Sequence, residues 1–195
     1  MTRKYELKQR AEQAEETRRR IVETVVGLHL TVGPAATTIS EVARRVGVQR
    51  QTVYNHFPDE QELFAACSAH WRGRHPAPDP AAWTDLRDGL GELYAWYRET
   101  EPMTANVLRD AGALPALRAV LEPGLEAYLT EVRRVLATPL GRGRRLAAAV
   151  AVATDFLVWR SLKELGDDEA AELMTSLVEE AARSPRRGSS ARPGR

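Results

Sequence analysis

The 195-residue chain has only one cysteine, Cys67, and no long apolar run. One cysteine excludes an intrachain disulfide and fits a reducing compartment. The longest uninterrupted apolar run, 146–153, is far shorter than the roughly 20 residues that a membrane-spanning helix needs. The N-terminus is charged and lacks the apolar core of a secretory signal. We therefore expect a cytoplasmic protein with no part in the membrane.

Signatures of catalysis are also missing. The sequence has no phosphate-binding loop of the P-loop or dinucleotide type and no G-x-S-x-G nucleophile motif. No histidine follows a glutamate by three residues, as a di-iron helical bundle requires. Cys67 and His70 share a helical face, but two ligands make a weak metal site. We expect no enzyme, no cofactor and no metal, and a helical-bundle enzyme is a remote alternative.

The net charge of +1 hides an uneven distribution. Residues 1–58 carry +4, residues 59–182 carry −8 and residues 183–195 carry +5. A basic N-terminal third ahead of an acidic body suggests one face for polyanions. Chance clustering would give the same totals, so charge alone decides nothing.

Helical periodicity runs through the chain, and no run alternates as a strand would. We therefore predict an all-α fold, with its domain boundary at the Pro-rich segment 75–80. The predicted divisions are an arm at 1–15 (disordered or a helical extension), a first domain at 16–72, a second at 79–182 and a basic disordered tail at 183–195. Asp79 and Pro80 suit the start of the second domain. Its predicted helices are 81–99, 102–110, 114–121, 123–137, 143–165 and 168–182.

The segment from Ile39 to Phe57 has the pattern of a helix-turn-helix. Apolar residues occupy i, i+3, i+4 and i+7 of one helix and i, i+4 of the next, with a glycine at the turn where positive φ costs little. These are Ile39, Val42, Ala43 and Val46, then Gly47, then Val53 and Phe57.

This pattern leaves a polar face on the second short helix. Its members are Arg50, Gln51, Thr52, Asn55 and His56. Arginine can bridge the two acceptors of guanine, and Gln or Asn can pair with adenine. Hydroxyl and imidazole groups can donate to phosphate oxygens. From the pattern alone, a plain helical hairpin with a solvated polar face stays almost as good an interpretation.

The stretch 37–64, TTISEVARRVGVQRQTVYNHFPDEQELF, resembles the TetR family of regulators. The matching residues are Thr37, Thr38, Ile39, Glu41, Val42, Ala43, Gly47, Val48, Thr52, Val53, Tyr54, His56, Phe57, Glu62 and Leu63. The resemblance covers about residues 17–70. It implies a three-helix helix-turn-helix domain that binds a double-stranded DNA operator, followed by a helical domain for ligand binding and dimerisation.

The family's pattern also implies roles for single residues. Thr38 would cap the second helix and touch the DNA backbone, and Tyr54 and His56 would hold phosphates. The base edges would face four side chains of the recognition helix: Arg50, Gln51, Thr52 and, nearby, Asn55.

Two departures from the pattern bear on affinity. Gln49 stands where Ser or Thr often caps the recognition helix, and Asp59-Glu60 stands where Ser-Lys is common. Glu60 would repel a phosphate that a lysine would attract. Either other basic residues compensate, or the affinity is low and steeply salt-dependent. The compensating candidates are Arg44, Arg45, Arg50, Arg3, Lys4, Lys8, Arg10 and Arg18.

In the second domain the resemblance implies a ligand pocket and a dimer interface. Small-molecule sites are mostly apolar with a few polar contacts, and the candidates here are Trp96, Met103, Asn106, Asp155, Phe156 and Trp159. A packed core that uses aromatic residues as filler is the stronger interpretation for any one of them. Asp155 interrupts an apolar stretch, so its carboxylate either has a buried partner or lies on a solvent-exposed face of the helix. The last two helices carry broad apolar faces that suit a homodimer.

We therefore expect a homodimeric repressor that releases a palindromic operator when a small-molecule effector binds. An adaptor whose C-terminal domain binds a protein partner is the alternative.

Overall fold

The computed structural model describes residues 2–183, and all regular structure in that range is helical, which confirms the all-α prediction. No helix in this range is both long and apolar enough to cross a membrane. The predicted basic tail lies outside the described residues, apart from Arg183. The helices are α1 (Thr2–Thr31), α2 (Ile39–Val46), α3 (Arg50–His56), α4 (Glu60–Arg74), α5 (Leu86–Ala111), α6 (Pro115–Ala137), α7 (Arg144–Ala153), α8 (Phe156–Leu162) and α9 (Asp167–Arg183).

The predicted arm is a helical extension, because α1 runs without a break from Thr2 to Thr31. The helix ends where Val32 and Gly33 both donate their N–H groups to the Leu28 carbonyl, at 2.8 and 3.2 Å. Gly33 has φ of 91°, a backbone conformation that favours glycine. The helix therefore ends just before the sequence Val32-Gly33-Pro34.

A first compact unit comprises residues 1–77 and 96–127. Its core joins the apolar stripe of α1 to the inner faces of α2, α3 and α4 and to one side chain of α5. The buried members are Ile21, Val22, Val25, Val26, Leu28, Val42, Ala43, Val46, Val53, Phe57, Leu63, Cys67 and Met103.

A second compact unit comprises residues 78–95 and 128–195. Within it α7 packs on α9, and Tyr94 donates its hydroxyl to the Ala153 carbonyl at 2.7 Å. Asp79 accepts a hydrogen bond from the Ala81 N–H at 3.0 Å, as a cap should. The turn it caps, Pro80–Ala82, is a short 3-10 helix, so the predicted helix at 81–99 starts later, at Leu86.

Two predicted helix breaks are wrong, because Pro102 lies inside α5 and Pro123 lies inside α6. An internal proline loses one backbone hydrogen bond and costs about 3 kcal/mol. At Pro102 the adjacent Met103 is 93% buried and its packing offsets that cost, whereas residues 122–127 around Pro123 are exposed. Packing therefore outweighs the local preference at Pro102.

The opposite error occurs at 143–165, which is two helices rather than one. Asp155 accepts hydrogen bonds from the N–H groups of Leu157 (2.8 Å) and Val158 (3.0 Å), so it caps a new helix, α8. Asp155 is half-buried. The carboxylate that interrupts the apolar stretch has a structural partner in the backbone of α8.

The end of α1 is tied to α5 by side chains of α5. Asn106 donates its amide to the carbonyls of His29 (2.8 Å) and Leu30 (3.1 Å), and Asp110 accepts from the Ala35 N–H at 3.0 Å. These bonds satisfy backbone groups that a helix end leaves open. They explain why residues 96–127 pack with the N-terminal residues, across the boundary expected at 75–80.

Arg109 completes this connection. Its guanidinium donates to the Val32 carbonyl at 3.1 Å and pairs with Asp110 at 2.7 Å. The hydrogen bonds from Arg109 hold the pKa of Asp110 below its usual range. A side chain at Gly33 would collide with both groups.

His29 lies beneath this connection and is 97% buried. Its ring stands 5.8 Å from that of Phe64, and its Nε2 has no hydrogen-bond partner among the described residues. Burial lowers the pKa of His29 to about 4, and the nearby charge of Asp110 only partly opposes that shift. The folded protein therefore holds this imidazole neutral.

We predict that the protein loses stability between pH 6.5 and pH 4, partly through His29. In that pH range His29 binds a proton in the unfolded chain but stays neutral in the folded chain. The free energy of unfolding therefore falls as the pH falls, by about 3 kcal/mol at most. His29→Leu should flatten the decline, measured by urea unfolding at several pH values. Val25→Ala, a core change without a titrating group, should keep the wild-type slope. Equal slopes in wild type and His29→Leu would contradict the assignment.

Candidate nucleic-acid interface

The turn between α2 and α3 has the predicted geometry. Thr38 caps α2, since its hydroxyl accepts the Glu41 N–H at 3.2 Å. Gly47 ends the helix with φ of 77°, and the N–H groups of Gly47 and Val48 both reach the Ala43 carbonyl, at 2.9 and 3.0 Å. The chain can therefore turn sharply and start α3 three residues later.

The inner faces of both helices are buried, as the apolar spacing predicted. Val42 and Val53 are fully buried, and Ala43, Val46 and Phe57 are each 97% buried. Ile39 is half-buried against the same core. The two helices are thus held from one side, and the other side of α3 is left to solvent.

The solvent side of α3 brings most of the predicted DNA-contact residues together. Arg50, Gln51 and Asn55 are exposed, and Tyr54 is 42% exposed. Gln51 donates its side-chain amide to Asn55 at 3.1 Å, one turn further along. Thr52 and His56 are half-buried at the edges of this surface, and Thr38 is exposed at the start of α2.

This surface has the donors and acceptors that base edges require. The Gln51–Asn55 pair links two amides, each able to bind adenine, while the Arg50 guanidinium at the start of the helix suits guanine. The Tyr54 hydroxyl can donate to a phosphate. A seven-residue helix with such a face fits a major groove.

The two departures from the family pattern have structural counterparts. Gln49 makes no side-chain capping bond to α3. Asp59 caps α4 by accepting the Glu62 N–H at 2.8 Å, and Glu60 lies in the first turn. Negative charge at a helix start stabilises the helix. Asp59 and Glu60 therefore stabilise the start of α4, and they leave less positive charge beside α3.

Some of the basic residues expected to compensate are already paired. Glu41 accepts hydrogen bonds from Arg44 and Arg45 at 2.7 to 2.8 Å, and these bonds lower the pKa of Glu41 to about 2. Lys8 pairs with Glu12 at 3.7 Å. The side chains of Arg3 and Lys4 lie outside the described residues. Arg50 and Arg10 are exposed.

The six predicted ligand residues do not come from one part of the fold. Trp96, Met103 and Asn106 belong to the first unit, where Met103 joins the core and Trp96 donates to the His75 carbonyl at 3.4 Å. Phe156 and Trp159 belong to the second unit.

In the second unit the rings of Phe156 and Trp159 stand 5.5 Å apart, close to Asp155 in the chain. Trp159 is fully buried and donates its indole N–H to Asp167 at 3.2 Å. One open surface depression of the second unit is lined by Thr84, Asp85, Arg87, Asp88, Gly91, Glu92, Asp168 and Ala171, and another by Pro139, Leu140, Glu179, Ala182 and Arg183. Neither set includes a predicted ligand residue.

The described residues contain no group of three or more His, Cys, Asp or Glu side chains placed to hold a metal ion. Cys67 is 96% buried in the first core, and burial raises its pKa to about 12. It is therefore a packing residue with an inert thiol.

Sequence reasoning missed the interactions of Arg18 and Arg20. Arg18 donates to the His56 carbonyl at 3.2 Å, and Arg20 donates to the Val46 carbonyl at 2.6 Å. A basic residue on a surface helix gives no sequence signal that separates a phosphate contact from a bond to a distant backbone carbonyl.

A capped α2, a glycine turn and an α3 with an exposed polar face together form a helix-turn-helix. Residues 21–67 match the model of the bacterial regulatory proteins of the tetR family. The N-terminal part of the chain is therefore identified as a domain of this family.

Known relatives agree with this assignment. The chain is similar to the HTH-type transcriptional regulator AcrR of Shigella flexneri, with 29% identity over 125 residues, which are 64% of this chain and 47% of AcrR. The chain thus spans about half the length of that relative. A transcriptional regulator from Rhodococcus sp. Rha1 has the same fold, with a TM-score of 0.60 and 19% identity over 86% of this chain and 99% of that one. The multidrug binding protein EbrR, complexed with imidazole, shares the fold at a TM-score of 0.52 and 24% identity, over 82% of this chain and 93% of EbrR.

The missing cap gives a first prediction for this site. Gln49→Ser should supply a hydroxyl to the open N–H groups of α3 and raise the free energy of unfolding by about 0.5–1 kcal/mol. Chemical denaturation of the two proteins measures the difference. Gln49→Ala is the matched control, because it shortens the side chain without adding a cap and should give no gain. Equal effects of the two substitutions would show that capping is not what α3 lacks.

Proposed function

We propose that this protein is a transcriptional repressor that binds a palindromic operator as a homodimer and releases it when a small molecule binds. The observation that supports the proposal is the exposed polar face of α3, whose opposite face is buried in the core. Arg50, Gln51 and Asn55 supply base-reading groups, and Tyr54 supplies a phosphate donor. Thr52 would face base edges with them, and Thr38 and His56 would contact the DNA backbone.

The charges around α3 should determine the affinity of the helix-turn-helix for DNA. Arg44 and Arg45 share Glu41, and Glu60 places a negative charge near α3. Fewer free cations mean fewer counterions released on binding. Affinity should therefore depend on base contacts from α3 more than on phosphate contacts around it.

The homodimer is proposed through the second unit. Large apolar side chains of α7, α8 and α9 are exposed there: Val152 is 49% exposed, Leu157 60%, Leu173 41% and Leu177 54%. Several large apolar side chains exposed on one unit are typical of an interaction site. Two-fold symmetry would also place two copies of α3 one helical turn of DNA apart, about 34–36 Å.

The proposed effector is a small molecule, and the likeness to EbrR supports a ligand-binding role for the fold. The predicted ligand residues are Trp96, Met103 and Asn106 in the first unit and Asp155, Phe156 and Trp159 in the second. A ligand shifts DNA binding only if it binds the released conformation better than the bound one. A compound that dissociates the operator complex at constant salt would identify the effector.

DNA recognition is tested with duplexes that the full-length protein selects from a random pool. We expect sequence enrichment and salt-dependent binding by fluorescence anisotropy. Arg50→Ala should relax preference at one base pair and cost about 1–3 kcal/mol of discrimination, whereas Tyr54→Phe should weaken all sequences alike. Arg118→Ala on α6 is the control and should leave binding unchanged.

Two results would overturn this proposal. A pool without enrichment, together with no binding at low salt, would exclude operator recognition. Unchanged affinity and specificity in both Arg50→Ala and Tyr54→Phe would remove α3 from the interface.

The dimer is tested by light scattering on the full chain. Wild type should have twice the mass of the chain, and Leu177→Glu combined with Leu157→Glu should yield the monomer, because charges at these positions would be buried without partners. Leu125→Glu on α6, at a 39% exposed position, should stay dimeric. A monomeric wild type would refute the proposed assembly.

A further inference from the structure

Arg18 on α1 reaches the far end of the recognition helix. Its Nη1 donates to the carbonyl of His56, the last residue of α3, at 3.2 Å. Its guanidinium lies 4.1 Å from the centroid of the Phe57 ring. Arg18 is half-buried, so both contacts hold it against the protein.

Arg20 makes the equivalent contact with the other helix of the motif. Its Nη2 donates to the carbonyl of Val46, the last residue of α2, at 2.6 Å. Residues two apart on a helix do not share a face. Each arginine therefore serves one of the two helices.

The ends of α2 and α3 need such donors. The last carbonyls of a helix have no partner within it and carry partial negative charge, which a cation stabilises. A guanidinium is planar and weakly hydrated, so it can stack on an aromatic ring while it donates. Arg18 does both, at the point where α3 leaves the core.

We propose that Arg18 and Arg20 are positioning residues that fix the ends of α3 and α2 against α1, and that Arg18 is not a phosphate ligand. This differs from the role expected from its charge. Its consequence for DNA rests on the proposed function. The neighbouring Arg19 is a natural control, because it is exposed and pairs with Glu16 and Glu23 at 2.6 and 2.8 Å.

The first test needs no DNA. In Arg18→Met, amides of α3 and Phe57 should exchange hydrogen about tenfold faster, the order expected from losing one charge-assisted hydrogen bond. Amides of the α4 interior should keep their rates, as should all amides in Arg19→Met. Arg20→Met, the second variant, should speed exchange near the end of α2 only. Unchanged exchange in α3 of a folded Arg18→Met protein would overturn the proposal.

The second test uses the selected operator and the dependence of affinity on salt. Each phosphate contact contributes about 0.9 to the slope of log K against log salt. Arg18→Met should weaken binding about tenfold with the slope unchanged, since α3 loses orientation but no phosphate contact is removed. A slope reduced by about one, absent in Arg19→Met, would identify Arg18 as a phosphate ligand and overturn the proposal.

Arg18→Lys separates the two roles further. Lysine keeps the charge and binds phosphate as a point charge, but it lacks the planar fork. Exchange in α3 should stay fast in Arg18→Lys, and recovery of both exchange and affinity to wild-type values would contradict a positioning role that depends on the guanidinium. If wild type selects no DNA, the proposed function fails while the exchange result still decides the role of Arg18.

Discussion

The apolar stripe of α1 is the constraint on which the packing of α2, α3 and α4 depends. Ile21, Val25 and Leu28 are at least 98% buried, and α2, α3 and α4 all pack on them. Neither α2 nor α3 is long enough to be stable alone, since isolated helices below about 12 residues are marginal. Both helices are stable because one face of each lies in the core that α1 helps to form. The polar face of α3 is exposed as a direct result.

Local patterns predicted this head well. The two helices α2 and α3 lie within the predicted segment from Ile39 to Phe57, because the apolar spacing, the Thr38 cap and the Gly47 turn all indicate the same structure. Patterns failed where packing or a single side chain decided the outcome. Pro102 and Pro123 do not end their helices, and Asp155 starts a helix where continuous periodicity predicted none.

The candidate site shows the same division. Which residues of α3 face outward follows from helical geometry, so Arg50, Gln51 and Asn55 could be placed from the sequence. The partners of the surrounding charged residues could not be predicted from the sequence, because a long charged side chain has several partners within reach. Arg18 donates a hydrogen bond to a backbone carbonyl, and Glu41 forms ion pairs with two arginines. The roles predicted in the second domain depended on the family's general plan and stay predictions.

The brevity of α3 has a thermal consequence. A seven-residue helix with no cap at Gln49 cannot persist once the core behind it has unfolded. The exposed polar face of α3 is therefore lost at the latest when the core of the first unit unfolds. The unfolding temperature of that core is an upper limit for every interaction that this face makes.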